Sequence, residues 1–301
     1  MEGVQSTSVI GFSEHLIDVG AAKLEVYRGG EGSIVVCGSQ PHTPRPESVQ
    51  WYAEHAQVVY VMPRGHGRSS PVRDRADMQL HTIVADLEAV RRQLDIDRWV
   101  LEGYSGGSQL ALTYALRYPN ALAGLIVGFS VANIAGVLDD PRTVISPAHP
   151  THQADLQMAG LDRHSAVGSE EPRWLQPRPE LWVLVQGKRP LIVSPAADPN
   201  PHLKVHLEEI VHFDVSPRLH EIRVPTLVVC GRQDPVVPVD MAVAMQRAIP
   251  DAELLVLEHT AHETPLESAD GEVFRRTVTR FLTRLQSADL TSRARDERPT
   301  G

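Results

Sequence analysis

The chain has 301 residues, 42% hydrophobic and 22% charged, enough to bury one large core and leave room for an accessory lobe. Its formal charge of −9 at pH 7 argues against nucleic-acid binding, which needs clustered cations to displace phosphate counterions. No apolar run is long enough to span a membrane, and Met1 to Ser8 lacks the basic-then-apolar pattern of a secretory signal, so a cytoplasmic location is expected.

The first elements read as short strands. His15 to Val19 and Lys23 to Arg28 alternate, separated by Gly20-Ala21-Ala22 and closed by Gly29-Gly30. Three near-continuous apolar runs follow, Ile34-Val35-Val36, Val58 to Val61 and Trp99-Val100-Leu101. Such runs suit strands of a parallel sheet, covered by helices on both faces. Between them Leu80, Ile83, Val84, Leu87, Val90 and Leu94 form one helical stripe. A second helix carries Leu110, Tyr114 and Leu116 and is stopped by Pro119, and another buried run spans Leu122 to Val127. Strand–helix alternation of this kind predicts a doubly wound α/β sheet.

The alternation breaks between 131 and 217, where Pro141, Pro147, Pro150, Pro172, Pro177 and Pro179 interrupt short helical pieces. It resumes at Thr226 to Cys230, with a helix near Met241 to Ile249, a strand at Glu253 to Leu257 and a last helix striped by Phe274, Val278, Phe281 and Leu285. The expected organisation is a core of 1–130 and 218–286, a helical lid of 131–217, and a disordered polar tail of 287–301. The two cysteines, Cys37 and Cys230, end core strands and make no disulfide framework.

The sharpest chemical signal is Gly103-Tyr104-Ser105-Gly106-Gly107, placed where the strand Trp99–Leu101 must turn into a helix. A serine on that turn takes a strained backbone and projects its hydroxyl above the sheet. The strain brings together the residues two before and two after, which must therefore be small. No G-K-[ST] follows the loop and no G-x-G-x-x-G occurs, which excludes the common phosphate loops. A serine hydroxyl needs a base. His259 and His262 both follow the Glu253–Leu257 strand, and His262 lies further into the loop, where it can reach over the turn. A carboxylate must fix the imidazole tautomer, and Asp234 follows the strand ending at Cys230, at the same sheet edge as Ser105. The order Ser105, Asp234, His262 is the one expected of this fold. The backbone N–H groups of Gly106, at a helix start, and of Ser39, in the loop after Cys37-Gly38, are the candidate oxyanion donors.

These motifs resemble the α/β-hydrolase superfamily, in particular its lidded branch of proline iminopeptidases and related esterases. Arg64-Gly65-His66-Gly67-Arg68-Ser69 is similar to the family's R-G-x-G-x-S loop, and Phe213 to Leu219 with Ile222 to Leu227 resembles its re-entry from lid to sheet. Ala261-His262 followed by Glu267 is similar to its histidine loop. The chain departs from the pattern at Cys37-Gly38, where members carry His-Gly. It departs again at Met62 and Ala261, and at an elbow reading Gly-Tyr-Ser-Gly-Gly where iminopeptidases carry Gly-Gly-Ser-Trp-Gly. The elbow moves the expectation from peptides towards a small ester, lactone or thioester. The resemblance implies acyl-enzyme chemistry without cofactor or metal, on a small-molecule substrate.

Tyr104, Trp174 and Trp182 are candidate substrate-binding residues, the last two equally explained by lid packing. His202 and His206, four apart with Glu208, Glu209 and His212 nearby, have a ligand-like spacing but no complete metal set, and a polar helix face explains them. Oligomeric state is open, a homodimer included. Two rival readings stand. An aminopeptidase would need lid carboxylates (Glu170, Glu171, Glu180, Glu208 and Glu209 are available) for a free amino group. A non-hydrolytic binding or biosynthetic member would keep the same three residues without turnover.

Overall fold

The computed structural model describes residues 11–41, 44–146, 148–150, 182–186, 189–193, 201–262 and 264–296. Its centre is an eight-stranded sheet formed by β1 (Ser13–Asp18), β2 (Lys23–Gly29), β3 (Val35–Gly38), β4 (Gln57–Val61), β5 (Trp99–Tyr104), β6 (Leu122–Gly128), β9 (Thr226–Gly231) and β10 (Ala252–Leu257). Their spatial order is β1-β2-β4-β3-β5-β6-β9-β10. The first two strands run antiparallel, β1 against β2 and β2 against β4, and every later pairing is parallel.

The inner parallel strands β3, β4, β5, β6 and β9 are buried on both sides, which is why their sequences are continuous apolar runs rather than alternations, whereas β10, at the sheet edge, is only partly buried. Successive residues feed two different cores. Cys37, Val59, Leu101, Val127 and Val228 enter one, packed against α1 (Leu80–Gln93), α2 (Gly106–Arg117) and α5 (Val239–Ala248). Val36, Val58, Val100, Ile126 and Leu227 enter the other, under the 3₁₀ segment Pro46–Glu54 and the last helix, α6 (Gly271–Asp296). The predicted stripes are the buried faces: Leu80, Ile83, Val84, Leu87 and Val90 on α1, and Phe274, Val278, Phe281 and Leu285 on α6. Cys37 and Cys230 are free thiols sealed in the first core. Burial pushes the Cys37 thiol well above its usual range and that of Cys230 to about 11, so neither is a thiolate at neutral pH.

Two expectations change. The proline-rich interval is not wholly helical: beside α3 (Ile134–Asp139) and α4 (Pro201–Ile210) it holds an antiparallel pair, β7 (Trp182–Gln186) with β8 (Arg189–Val193). Trp182-Val-Leu-Val and Pro190-Leu-Ile-Val are apolar and rich in β-branched residues, a signal that the prolines around them obscured. The expected tail at 287–301 is likewise helical as far as Asp296, because α6 runs on past its apolar stripe. No helix among the described residues is long and apolar enough to cross a membrane.

Candidate active site

Strand β3 leads into β4 on one side of it, whereas β5, its other neighbour, leads away to β6. The connections after β3 and β5 diverge, through the Pro46–Glu54 segment on one face and α2 on the other. A crevice opens at the carboxyl ends of strands arranged in this way. Ser39 and Ser105 follow the two strands that flank it.

Ser105 has φ 51° and ψ −121°, a strained turn between β5 and α2 of the kind its glycine neighbours forecast. A Cβ on Gly103 would stand 2.2 Å from the Gly107 carbonyl oxygen, so the two glycines are in mutual contact and position 103 admits no side chain. The Ser105 N–H donates to the Gly128 carbonyl at 2.9 Å. Ser108, fully buried, locks the turn: its Oγ lies 2.6 Å from the Gly103 carbonyl oxygen and accepts from the Gly128 N–H at 2.9 Å. The Ser105 hydroxyl is left exposed at the rim.

Ser105, His262 and Asp234 meet. Asp234 Oδ2 lies 2.9 Å from His262 Nδ1, and His262 Nε2 lies 3.2 Å from Ser105 Oγ. Because a carboxylate only accepts, Nδ1 carries the imidazole proton and Nε2 presents its lone pair to the serine hydroxyl. Asp234 is buried, and its other oxygen accepts from the Val236 and Val237 N–H groups at 2.7 and 2.9 Å. Both carboxylate oxygens are therefore occupied and the side chain has one orientation.

The loops that bring these groups together are tied to one another. Gln233 N–H donates to Thr260 O at 3.0 Å and Arg232 N–H to Leu257 O at 2.8 Å, joining the connection after β9 to the one after β10. Asp270, at the start of α6, accepts from the His259 N–H at 2.6 Å and from Thr260 Oγ at 2.8 Å. His259 is thus held by its backbone at the strand end with an exposed side chain, while His262 reaches the serine. Phe129, at the end of β6, sets its ring edge-on to the imidazole, 6.0 Å between centroids and 87° between planes. It does so from a left-handed backbone (φ 52°), a conformation costing about 1–3 kcal/mol in a bulky residue.

Ser39 is buried at the end of β3, its Oγ donating to the Val61 carbonyl at 3.0 Å, and Gly106 is the first residue of α2. The next residue, Gln40, was missed in the sequence. Its Nε2 donates to the Tyr104 carbonyl at 3.1 Å and its amide rests on Gly107, tying the β3 loop to the elbow. Nothing local distinguishes a glutamine before proline as such a tie. Tyr104 turns inward. Its ring packs near Phe129 and Phe274, and its hydroxyl lies 3.4 Å from that of Tyr52. Beside it Glu102, in parallel register with Gly38, is a buried carboxyl whose Oε2 has no hydrogen-bond partner among the described residues. Burial raises it to about 8.

Trp174 lies outside the described residues, as do Glu170, Glu171 and Glu180, and Trp182 opens β7. Both histidines of α4, His202 and His206, are buried. His202 Nε2–H donates to the Arg64 carbonyl at 2.7 Å and its ring meets that of His66 at 4.2 Å. Arg64 is itself fixed by Asp86, through two bonds of 2.8 Å, and by Asp77. No group of three metal-ligating side chains occurs among the described residues.

The family model described as alpha/beta hydrolase fold matches residues 48–269. A probable proline iminopeptidase of Leptolyngbya boryana is 26% identical over 236 residues, 68% of this chain and 73% of that protein. The 2-hydroxy-6-oxo-6-phenylhexa-2,4-dienoate hydrolase of Comamonas testosteroni is 27% identical over 274 residues, 84% of this chain and 88% of its own. Among solved structures, the proline iminopeptidase of Mycobacterium smegmatis superposes with a TM-score of 0.65 at 21% identity, covering 92% of this chain and 100% of that one.

Proposed function

Since the chain belongs to the alpha/beta hydrolase fold family, we propose that it is a serine hydrolase of small carboxylic esters, lactones or thioesters, with Ser105 as nucleophile, His262 as base and Asp234 as its orienting acid. The observation that carries the reading is the unbroken contact from Asp234 through His262 to the exposed Ser105 hydroxyl. In the proposed cycle Ser105 Oγ attacks the carbonyl carbon as its proton passes to His262 Nε2. The imidazolium is stabilised by Asp234 and the oxyanion by the N–H groups of Ser39 and Gly106. His262 then protonates the leaving group, and a water that it deprotonates releases the acyl group and restores Ser105.

The interval 131–217 is assigned as the lid that shapes the acyl or alcohol pocket. What supports this is the docking of α4: His202 bonds to the Arg64 carbonyl, Glu208 pairs with Arg75, and Glu209 Oε2 accepts the Leu80 N–H at 2.9 Å.

The iminopeptidase relatives favour a second reading, removal of an N-terminal residue from a peptide. Against it, two of the carboxylates proposed to hold a free amino group, Glu208 and Glu209, are engaged in docking α4. The test has two arms. Fluorophosphonate should label the wild type and not Ser105→Ala; absence of labelling in the intact protein overturns the acyl-transfer reading and favours a binding member of the fold. Faster turnover of a proline anilide than of a short p-nitrophenyl ester would select the peptidase.

A further inference from the structure

The reaction assigned to Ser105 leaves Glu102 without a part, although it is among the most deeply buried ionisable groups in the chain. It lies three residues before the nucleophile on β5, and its Cα is paired with that of Gly38, the residue just before Ser39. Its Oε1 is so close to Gly38 that a Cβ there would stand 3.1 Å away. Around it are Tyr52 on the Pro46–Glu54 segment, Tyr60 on β4 and Tyr104 on β5, with Cys37 preceding Gly38 on β3. The Tyr104 hydroxyl hydrogen-bonds to the carboxyl, but no cation pairs with it among the described residues, and Oε2 has no partner among them. An ionised carboxylate in this position would have neither counter-ion nor solvent, a condition that proteins avoid by keeping the group protonated.

We propose that Glu102 is a positioning residue that works as a neutral carboxylic acid: its proton keeps the ground beneath Ser105 and the β3 loop uncharged, and losing that proton disables the site. The physical reason is electrostatic. The acyl-transfer transition state places negative charge on an oxygen held by N–H groups at Ser39 and Gly106, at the ends of the two strands that Glu102 joins. A carboxylate fixed in the low-dielectric floor opposes that charge and pulls the neighbouring tyrosine hydroxyls towards itself. The facing groups do not mask the effect. Burial pushes Tyr52, Tyr60, Tyr104 and Cys37 upwards, so each stays neutral when Glu102, raised to about 8, ionises.

The proposal rests on the hydrolase reading, and the experiment separates the two. Fluorophosphonate labelling rates are measured from pH 6 to 10 for the wild type and Glu102→Gln, each normalised to its own rate at pH 7. Wild type is expected to fall about thirtyfold by pH 9.5, the fraction of protonated acid left for a group titrating near 8. The glutamine variant is expected to hold its plateau. The same alkaline fall in both proteins overturns the role of Glu102 alone, whereas no labelling of wild type at any pH overturns the hydrolase reading and this role with it. Thermal melting gives a second arm that needs no activity. A folded-state value above the unfolded 4.5 means that the contribution of Glu102 is whole below pH 4.5 and drains away as pH rises through 8. The melting temperature of Glu102→Gln should therefore gain on that of wild type between pH 5 and 8. A constant difference across that range overturns the buried, protonated state.

Discussion

Asp270 holds the strand end from which His262 hangs, accepting the His259 N–H at 2.6 Å and the Thr260 hydroxyl at 2.8 Å through a single oxygen. Thr260 is fully buried and its carbonyl in turn accepts the Gln233 N–H, one residue before Asp234. Asp234 and His262 are therefore registered through Thr260 as well as through their own hydrogen bond.

Asp270→Ala removes the acceptor of the His259 N–H and one of the two partners of the Thr260 hydroxyl, which keeps Ser268 Oγ, a loss of about 1–3 kcal/mol in all. A melting temperature lowered by several degrees is expected, with kcat reduced more than KM because the imidazole loses its fixed approach. Melting curves and ester kinetics on the same preparation check both. An unchanged kcat would disconnect Asp270 from the site.

Asp234→Asn should leave the fold intact and lower kcat by about 10⁴. The amide oxygen would satisfy the Val236 and Val237 N–H groups, turning the NH₂ towards His262 Nδ1. The imidazole must then carry its proton on Nε2, where it cannot receive one from Ser105. Steady-state kinetics with a p-nitrophenyl ester, together with a circular dichroism spectrum matching wild type, is the measurement.

Gly103→Ala is the most damaging single methyl available at the elbow. The added carbon would sit 2.2 Å from the Gly107 carbonyl oxygen and 2.9 Å from the Ser108 nitrogen, and both are backbone atoms that cannot rotate away. Destabilisation of about 3 kcal/mol is expected, at the upper end for an overpacked core, with loss of fluorophosphonate labelling. Urea unfolding reads the first and gel fluorescence the second.

His202 makes the dock of α4 sensitive to acid. Its burial lowers its folded-state pKa below the usual 6.5, against a smaller opposing pull from the Arg64 carbonyl. The folded chain then binds fewer protons than the unfolded one, so stability is complete above pH 6.5 and declines as pH falls towards the folded-state value. Hydrogen-exchange protection in 201–210, taken relative to the intrinsic rate at each pH, should fall at pH 5 compared with pH 7.5 in wild type, and change less in His202→Gln.

Ser105, Asp234 and His262 were legible because each follows a strand whose apolar run announces it, and chain order alone sends all three to one sheet edge. The sheet was legible for the same reason: burial on two faces leaves a continuous apolar trace at β3, β4, β5, β6 and β9. Glu102, Gln40, Ser108 and Asp270 were not legible, because their partners lie on other elements and nothing in a single polar residue states which strand will pass beside it. In 131–217 the prolines dominated the local pattern and hid the β7–β8 pair, while α6 runs past its apolar stripe through a segment where Ala288, Leu290, Arg293, Ala294 and Arg295 favour helix.

Both thiols of the chain are closed inside the first core and protonated at neutral pH. A third cysteine engineered on the outside of α4 or at the rim of the crevice would be the sole point of attachment for a maleimide dye. The natural sequence is thus ready for distance measurements by fluorescence or spin labels, with no background residues to remove first.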